Sequence, residues 1–211
     1  ILGSRASFKE NFNPKTDSLA QLRLTNRIRP FILRRTKDQV AQDLPERVEE
    51  DIMCSMSGEQ DIMYRAELKR AQQVMLKIKT DAELSKMRFN VLTSLLRLRQ
   101  ICCHPKLYTK DSSGKSAKLE VLEDRVEAIL DQGSKVLIFS QFVEMLGLIK
   151  GVGRKFDWKM WELTGKTEKR GQIVRDFQEH EGPGVFLISL KAGGAGLNLT
   201  AAQYVILFDP W

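Results

Sequence analysis

A glycine-rich segment near the end of the chain carries residues suited to holding a phosphate. Gly193, Gly194 and Gly196 lie close together in the sequence. Lys191 comes just before them. Glycine permits positive φ angles and the close approach of another group to the backbone, and lysine supplies a cation. A tight turn without a ligand uses the same residues, so the flanking elements decide whether the segment is a candidate anion site.

A second phosphate-binding pattern, Gly165-Lys166-Thr167, looks like the end of a P-loop. A P-loop also requires a glycine five residues before Gly165, and that position is Met160. We therefore reject a P-loop here and predict a helix that begins at Thr167, with the threonine as its cap. Nowhere else does the sequence contain a P-loop pattern or an Asp-Glu box of the kind that binds Mg²⁺ in P-loop ATPases.

The cysteines invite a metal interpretation, which their spacing excludes. Cys102, Cys103 and His104 are consecutive and lack the two-residue gap of a zinc knuckle. The remaining candidates, Cys54 and His180, do not form a second pair. We predict that the consecutive residues are buried or lie at a helix end. Three cysteines without framework spacing are typical of a protein from a reducing cytoplasm.

Composition narrows the class of protein. The net charge is +7 with a pI of about 9.4, which favours a polyanionic partner such as nucleic acid, although solvated lysines produce the same balance. No run approaches the roughly 18 apolar residues of a membrane span. There is no signal peptide, and a chain that starts at Ile1 rather than methionine is expected to be an excised fragment.

The elements that position these residues follow from hydrophobic patterning. Val185–Ser189 and Tyr204–Phe208 are short, continuous apolar runs, which predict parallel strands covered on both faces. Further strands are predicted at Val136–Ser140 and Trp158–Leu163, and the predicted helices of this half are Leu119–Leu130, Phe142–Ile149 and Thr167–Phe177. Alternation of strands and helices predicts a doubly wound parallel sheet, whose ligand loops follow the carboxyl ends of the strands.

The first half of the chain is predicted to be mainly helical. Its predicted elements are a loop with one weak helical turn (1–17), a helix (Ser18–Ile28), a helical turn (Thr36–Ala41), a strand (Arg47–Met56) and two helices (Ser57–Lys79 and Leu84–Cys102). Ser57 and Gln60 have capping-box spacing. The polar, glycine-containing segment Tyr108–Ser116 is predicted to be a linker and the boundary of the α/β unit.

Four segments resemble one protein family in the same order. KAGGAGLNLTAAQYVILFDPW resembles motif V of the SNF2 family, the ATP-driven double-stranded DNA translocases of helicase superfamily 2. KVLIFSQF resembles its motif IV, RPFILRRTKDQVAQDLP its interlobe segment, and LRQICCHPKL the stretch before the core of its second lobe. Leu190, where many eukaryotic members have threonine, makes the chain look more like the bacterial branch.

The resemblance implies an α/β fold: the second, RecA-like helicase lobe of P-loop NTPase type, with a helical insertion at its N-terminal side. Residues 1–47 would be an interlobe segment. Residues 48–115 would form an edge strand with a helical protrusion. Residues 116–211 would be the RecA-like lobe, ending before the arginine fingers of motif VI. No catalytic residue is then expected in this piece, which alone should be inactive.

The resemblance also implies site residues. Gly196 and Asn198 would face the nucleotide ribose, although asparagine replaces the aspartate of the wider superfamily. Arg34 and Arg35 would brace the two lobes. The residues expected to contact the DNA backbone are Ser140, Gln141, Gly165, Thr167, Arg170, Lys191, Gly193 and Gly194. ATP with Mg²⁺ would be bound mainly by the N-terminal RecA-like lobe of the same protein.

The function implied is that of half a DNA motor. The expected partners are the N-terminal lobe, double-stranded DNA and a DNA-bound protein to be remodelled, with no membrane, in the cytoplasm at a bacterial nucleoid. Two alternatives stay open. One is the second lobe of another superfamily 2 helicase of DNA or RNA, against which the helical insertion argues. The other is a non-enzymatic, basic nucleic-acid-binding module.

Overall fold

A computed structural model describes residues 2–13, 17, 19–35, 47–56, 58–76, 80–194 and 196–210, without the side chains of residues 81–84 and 86. The chain divides into two compact units, Ile1–Asp51 and Ile52–Trp211. None of the helices in these ranges combines the length and apolarity that a membrane span requires.

The first unit contains two short helices, α1 (Arg5–Asn11) and α2 (Ala20–Ile28). Helix α1 replaces the predicted loop with a single weak turn, because the Ser4 hydroxyl accepts a hydrogen bond from the backbone N–H of Ser7 and caps it. Helix α2 confirms the predicted Ser18–Ile28 helix and passes into a 3₁₀ turn at Arg29–Phe31, at the proline that interrupts it. The predicted turn at Thr36–Ala41 lies outside the described residues.

The predicted edge strand at Arg47–Met56 is wrong. The whole segment lacks strand structure, and Val48 and Met53 are 90% and 92% exposed. Val48 is the only apolar residue among positions 47–51 and is followed by three consecutive acidic residues, so this half of the segment offers no apolar face to a sheet. A segment that cannot bury one face has little to gain from joining a sheet.

The second unit begins with a helical hairpin formed by α3 (Gly58–Leu76) and α4 (Asp81–Cys103). Both helices were predicted from the sequence. On α4 the structure buries Ser94, Leu98 and Ile101, whereas Leu95, which shares the three- and four-residue apolar spacing of this helix with Val91 and Leu98, is 47% exposed. The apolar spacing therefore predicted the helix correctly, but it did not predict which of its side chains are buried.

The predicted linker after the hairpin is held in place. A 3₁₀ turn at Pro105–Leu107 leads into it, and the Ser112 hydroxyl donates a hydrogen bond of 2.7 Å to Glu59 on α3. The buried Ser116 hydroxyl donates to the carbonyl of Cys103 at 2.6 Å and caps the following helix by accepting from Leu119 N–H. The connection is polar in sequence because its side chains bond to helix ends.

A four-stranded parallel sheet forms the rest of the unit. Its strands are β1 (Lys135–Ser140), β2 (Met160–Leu163), β3 (Gly184–Ser189) and β4 (Tyr204–Leu207), in the order β2-β3-β1-β4. The helices between them are α5 (Ala117–Asp131), α6 (Val143–Lys155), α7 (Arg170–Glu179) and the four-residue α8 (Leu190–Gly193). Gly133, with φ +75°, follows the end of α5, and the bonds from Gly133 N–H to the Leu130 carbonyl and from Ser134 N–H to the Ile129 carbonyl form a Schellman motif.

Two apolar cores, one on each face of the sheet, confirm the doubly wound arrangement. Val136 and Ile138 of β1 pack with α5 and α6, whereas Leu137 packs on the opposite face with Phe177 of α7. Residues of β3 alternate in the same way, and every residue of that strand is buried. Continuous apolar runs are what two covered faces require.

Strand β4 is less buried than predicted. Among the described residues it pairs with β1 alone, and Val205 and Leu207 are 59% and 57% exposed. Its apolar run resembles that of β3, so only the order of the strands distinguishes the central strand from the edge strand.

Candidate functional site

The carboxyl ends of the four parallel strands lie along one side of the sheet. We call this side the carboxyl edge and define it as residues 140–141, 164–170, 189–194, 196–198 and 208–209. The sheet order places these segments in the sequence β2, β3, β1, β4 along the edge. Every residue predicted to bind DNA or nucleotide lies on it. The fold therefore brings the candidates from three loops to one surface.

Gln141 is the predicted site residue best prepared for a ligand. Its amide nitrogen Nε2 is buried, and no described residue accepts a hydrogen bond from it. Ser140 is fully buried, and its hydroxyl donates to the carbonyl of Phe142 and accepts from Phe142 N–H at 3.0 Å. The serine hydroxyl thus holds the turn, while the glutamine amide has an unused donor. A buried donor without a partner costs about 1–3 kcal/mol unless a ligand satisfies it.

Ser189 is a candidate that the sequence analysis missed. It is paired with Ser140 across β3 and β1, and its buried hydroxyl has no hydrogen-bond partner among the described residues. The available signal was the one that pointed to Ser140, a polar residue closing an apolar strand. Two unpartnered polar groups, Gln141 Nε2 and Ser189 Oγ, therefore belong to adjacent strand ends.

The turn after β2 differs from the predicted helix start. Helix α7 begins at Arg170, and Thr167 does not cap it. Instead the Thr167 hydroxyl accepts a hydrogen bond of 2.9 Å from Thr164 N–H, and Thr167 N–H donates to the Thr164 carbonyl. The threonine hydroxyl proton stays available to a ligand, and Gly165 is exposed. A GKT sequence that does not open a helix agrees with the rejection of a P-loop.

The glycine segment starts as a helix before it becomes a loop. Gly193 ends α8, and a Cβ placed there would lie 2.8 Å from Cε1 of Phe139. Gly194 has an ordinary φ of −71°, whereas Gly196 has φ +56°. Lys191, Gly196 and Asn198 are exposed. One glycine therefore serves packing and another serves the left-handed turn, while the exposed residues are accessible to a ligand.

Substitution of Gly193 by alanine should destabilise the protein, because the added methyl group collides with the partly buried ring of Phe139. We expect a loss of roughly 1–3 kcal/mol in the free energy of unfolding, measured by urea denaturation. Gly194→Ala is the matched control, since the nearest atom to its added Cβ is the Leu190 carbonyl oxygen at 3.9 Å. Equal effects of the two substitutions would contradict this account.

Asp209 belongs to the carboxyl edge, and side chains from α4 and α5 lie next to this part of it. Asp209 is 5% exposed, and both of its carboxylate oxygens accept from Gln141 N–H at 3.1 Å. Lys118 donates to the carbonyl of Phe208 at 3.3 Å. The Arg99 guanidinium carbon lies 6.0 Å from the centre of the Phe142 ring. An acidic residue directly after a strand was the sequence signal for Asp209.

Cys103 and His104 are buried at the end of α4, and Cys102 is partly buried at the same helix end, which agrees with the prediction of buried or helix-end residues. Cys103 and His104 are 2% and 6% exposed. Burial, together with the negative charge of Asp209, raises the pKa of the Cys103 thiol to about 12. Burial lowers the pKa of His104, whose Nδ1 accepts from Lys106 N–H at 3.0 Å. Within the described ranges no group of three or more His, Cys, Asp or Glu residues could hold a metal ion.

The predicted interlobe residues lie in the first unit. Arg34 and Arg35 are both exposed there. Their exposure suits contact with another polypeptide or with a polyanion. Their bracing role stays a prediction.

Known proteins resemble the chain over its whole length. The SNF2-related domain profile matches residues 1–107, and the helicase conserved C-terminal domain profile matches residues 117–211. The putative ATP-dependent helicase/translocase YwqA of Bacillus subtilis (strain 168) is 40% identical over 194 residues, which cover 87% of this chain and 20% of the relative. The chain spans about a fifth of the length of these curated relatives.

Two solved structures of an archaeal protein are also similar. The SWI2/SNF2 ATPase core domain of Sulfolobus solfataricus has 35% identity and a TM-score of 0.70, covering 100% of this chain and 45% of that one. The same core in complex with double-stranded DNA has 33% identity and a TM-score of 0.69, covering 100% of this chain and 46% of that one. The predicted α/β, RecA-like fold class is confirmed.

Proposed function

Because the chain belongs to the SNF2-related family, we propose that it is the C-terminal ATPase lobe of an ATP-dependent double-stranded DNA translocase. The observation that carries the proposal is the pair of unpartnered polar groups, Gln141 Nε2 and Ser189 Oγ, on adjacent strand ends of the carboxyl edge. The similar Sulfolobus core, solved with duplex DNA, supports this choice of ligand.

In the proposed mechanism the carboxyl edge grips the DNA backbone. On DNA binding, Gln141 Nε2 and Ser189 Oγ, which are buried without it, would become accessible and donate hydrogen bonds to phosphate oxygens, as would the hydroxyl of Thr167. Arg170 and the exposed Lys191 would supply positive charge, with Gly165, Gly193 and Gly194 leaving room for the strand. Backbone contacts carry no base code, so binding should be independent of sequence and sensitive to salt.

The same lobe is proposed to form one wall of the nucleotide site. The left-handed Gly196 and the exposed Asn198 fit this role, because a positive-φ glycine allows the backbone to approach a ribose closely. ATP with Mg²⁺ would bind between this lobe and the N-terminal lobe, and its hydrolysis would supply the free energy for movement. Arg34 and Arg35 would connect this lobe to the N-terminal lobe. Closure and opening of the two lobes would advance them along DNA and displace a DNA-bound protein, in a bacterial nucleoid.

The decisive experiment measures ATP hydrolysis by the full-length protein with and without duplex DNA. We expect stimulation by duplexes of any sequence and no separation of their strands. Stimulation by RNA, or strand separation, would favour a different superfamily 2 helicase. An absence of DNA-dependent hydrolysis would leave only the binding-module alternative.

The contribution of Arg170 can be measured by its effect on salt dependence. Replacing it with alanine in the full-length protein should weaken duplex binding for all sequences and reduce the slope of log K against log salt concentration by about one. Arg175→Ala is the matched control, because Arg175 lies farther along the same helix, is exposed and is hydrogen-bonded to Gln172. An unchanged slope for Arg170→Ala would remove this residue from the proposed grip.

A further inference from the structure

Asp209 lies at the carboxyl edge although it follows the outermost strand of the sheet. It is 68 residues away from Gln141 in the sequence, yet both of its carboxylate oxygens lie 3.1 Å from Gln141 N. The preceding residue, Phe208, still pairs through its backbone, donating to the carbonyl of Phe139 at 3.0 Å. The carboxylate therefore continues the pairing of β4 with β1 beyond the last backbone hydrogen bond.

This contact holds the backbone of Gln141. The turn that contains it is held at two further points, both between Ser140 Oγ and the backbone of Phe142. Between these points the Gln141 N–H is fixed by Asp209, and a bond to an acidic side chain is among the stronger hydrogen bonds in proteins. With the backbone held on both sides, the buried Nε2 is left without a described partner.

Asp209 is itself anchored by its surroundings. It is 5% exposed. The adjoining Phe208 carbonyl accepts from Lys118 on α5, and the Lys118 ammonium lies 5.9 Å from the centre of the Phe208 ring. The segment that carries the carboxylate is thus tied to a helix and to β1 at once. A side chain held in this way can position a neighbour with little loss of its own freedom.

We propose that Asp209 is a positioning residue for DNA-dependent ATP hydrolysis, which keeps the Gln141 amide directed toward the DNA backbone. This inference rests on the proposed function. Asp209 contacts the turn and not the DNA, so its effect passes through Gln141. Loss of the carboxylate leaves Gln141 N–H buried without an acceptor and lets the turn rearrange.

The test uses the full-length protein and the duplex concentration that gives half-maximal stimulation of ATP hydrolysis. Asp209→Ala should raise this concentration roughly tenfold, the equivalent of about 1.4 kcal/mol in binding free energy. Asp209→Asn keeps one acceptor oxygen and should raise it by roughly threefold or less. In a Gln141→Ala background, Asp209→Ala should add less than about twofold, because the two residues act as one unit.

A stability control separates positioning from general damage. Glu67→Gln replaces another buried carboxylate, on α3 of the helical hairpin. The Glu67 carboxylate accepts a hydrogen bond from the Tyr108 hydroxyl. It should leave the half-saturating duplex concentration within about twofold of wild type, even where its melting temperature falls as far as that of Asp209→Ala. A Glu67→Gln variant that weakens DNA stimulation as strongly would overturn the specific role of Asp209.

Hydrogen exchange tests the positioning contact without relying on DNA. Amide exchange in residues 140–142 should accelerate in Asp209→Ala and remain slow in Glu67→Gln. Unchanged exchange, unchanged half-saturation or fully multiplicative effects with Gln141→Ala would each overturn the inference. A wild-type protein without DNA stimulation would instead overturn the proposed function, and the exchange result would then decide on the contact alone.

Discussion

Replacing Phe177 by alanine is expected to lower the free energy of unfolding by about 3–5 kcal/mol, the range for a large aromatic side chain removed from a core. The side chain is fully buried and packs between Trp161 and Phe186, with ring centroids at 5.3 and 4.9 Å. The ammonium of Lys135 lies 5.1 Å from the centre of the same ring. Truncation therefore leaves a cavity beneath α7 and removes three aromatic and cation–π contacts at once.

Urea denaturation followed by tryptophan fluorescence measures this loss. Phe156→Ala is the matched control, because Phe156 is 43% exposed and stacks only on Trp158 at 6.0 Å among the ring contacts described for it. We expect the control to lose about 1 kcal/mol, a typical cost for a partly exposed side chain. Similar losses at the two positions would show that the core on this face of the sheet is more tolerant than its packing indicates.

Gln60→Leu is expected to cost roughly 2–4 kcal/mol, because it removes hydrogen bonds from buried backbone groups at two helix ends. Gln60 is 1% exposed. Its Nε2 donates to the carbonyl of Ile101 at 2.8 Å, near the end of α4, and its Oε1 accepts from Ala117 N–H at 3.1 Å, at the start of α5. The last carbonyl groups and the first N–H groups of a helix have no hydrogen-bond partners within that helix. The Gln60 amide supplies a donor to the end of α4 and an acceptor to the start of α5.

Gln60→Glu should convert this contact into a pH-dependent one. An ionised carboxylate still accepts from Ala117 N–H but repels the Ile101 carbonyl, and only the protonated form can donate to it. Burial and this repulsion raise the pKa of the carboxyl in the folded state above its unfolded value of about 4.3. The variant should therefore approach wild-type stability below about pH 4 and lose stability as the pH rises through the folded-state pKa.

The measurement is the difference in unfolding free energy between Gln60→Glu and wild type across this pH range. Gln73→Glu, at an exposed position on the same helix, should show almost no difference at any pH. A Gln60→Glu variant whose stability relative to wild type does not change with pH would mean that the amide donor contributes nothing.

The hydrogen-bond partners of Gln60 could not be predicted from the sequence. Its spacing from Ser57 predicted a capping box at the start of α3. Ser57 lies outside the described residues, and in the structure the side chain of Gln60 joins α3 to the end of α4 and the start of α5. A local sequence pattern predicts hydrogen bonds between residues that are close in the sequence. The hydrogen-bond partners of Gln60 are 41 and 57 residues away, and they come within reach only when the helices pack.

The sequence by itself determined the α/β class, the parallel strands and the loops that hold the candidate site residues. Strands β1 and β3 are covered on both faces and therefore need apolar side chains at consecutive positions, a pattern that is visible in the sequence. Gly133 ends its helix because the left-handed conformation is local to one residue. The resemblance to a known family rests on the same kind of local strings, and it was confirmed.

Only the tertiary structure decided which strand lies at the edge, where α7 begins and which polar groups lack partners. The run of β4 is as apolar as a central strand, and its exposure follows from the strand order alone. Ser189 and Asp209 became candidates when the strand ends met, since their neighbours come from distant parts of the chain. Local physics sets the conformation of a segment, but a site depends on which segments the packed core brings side by side.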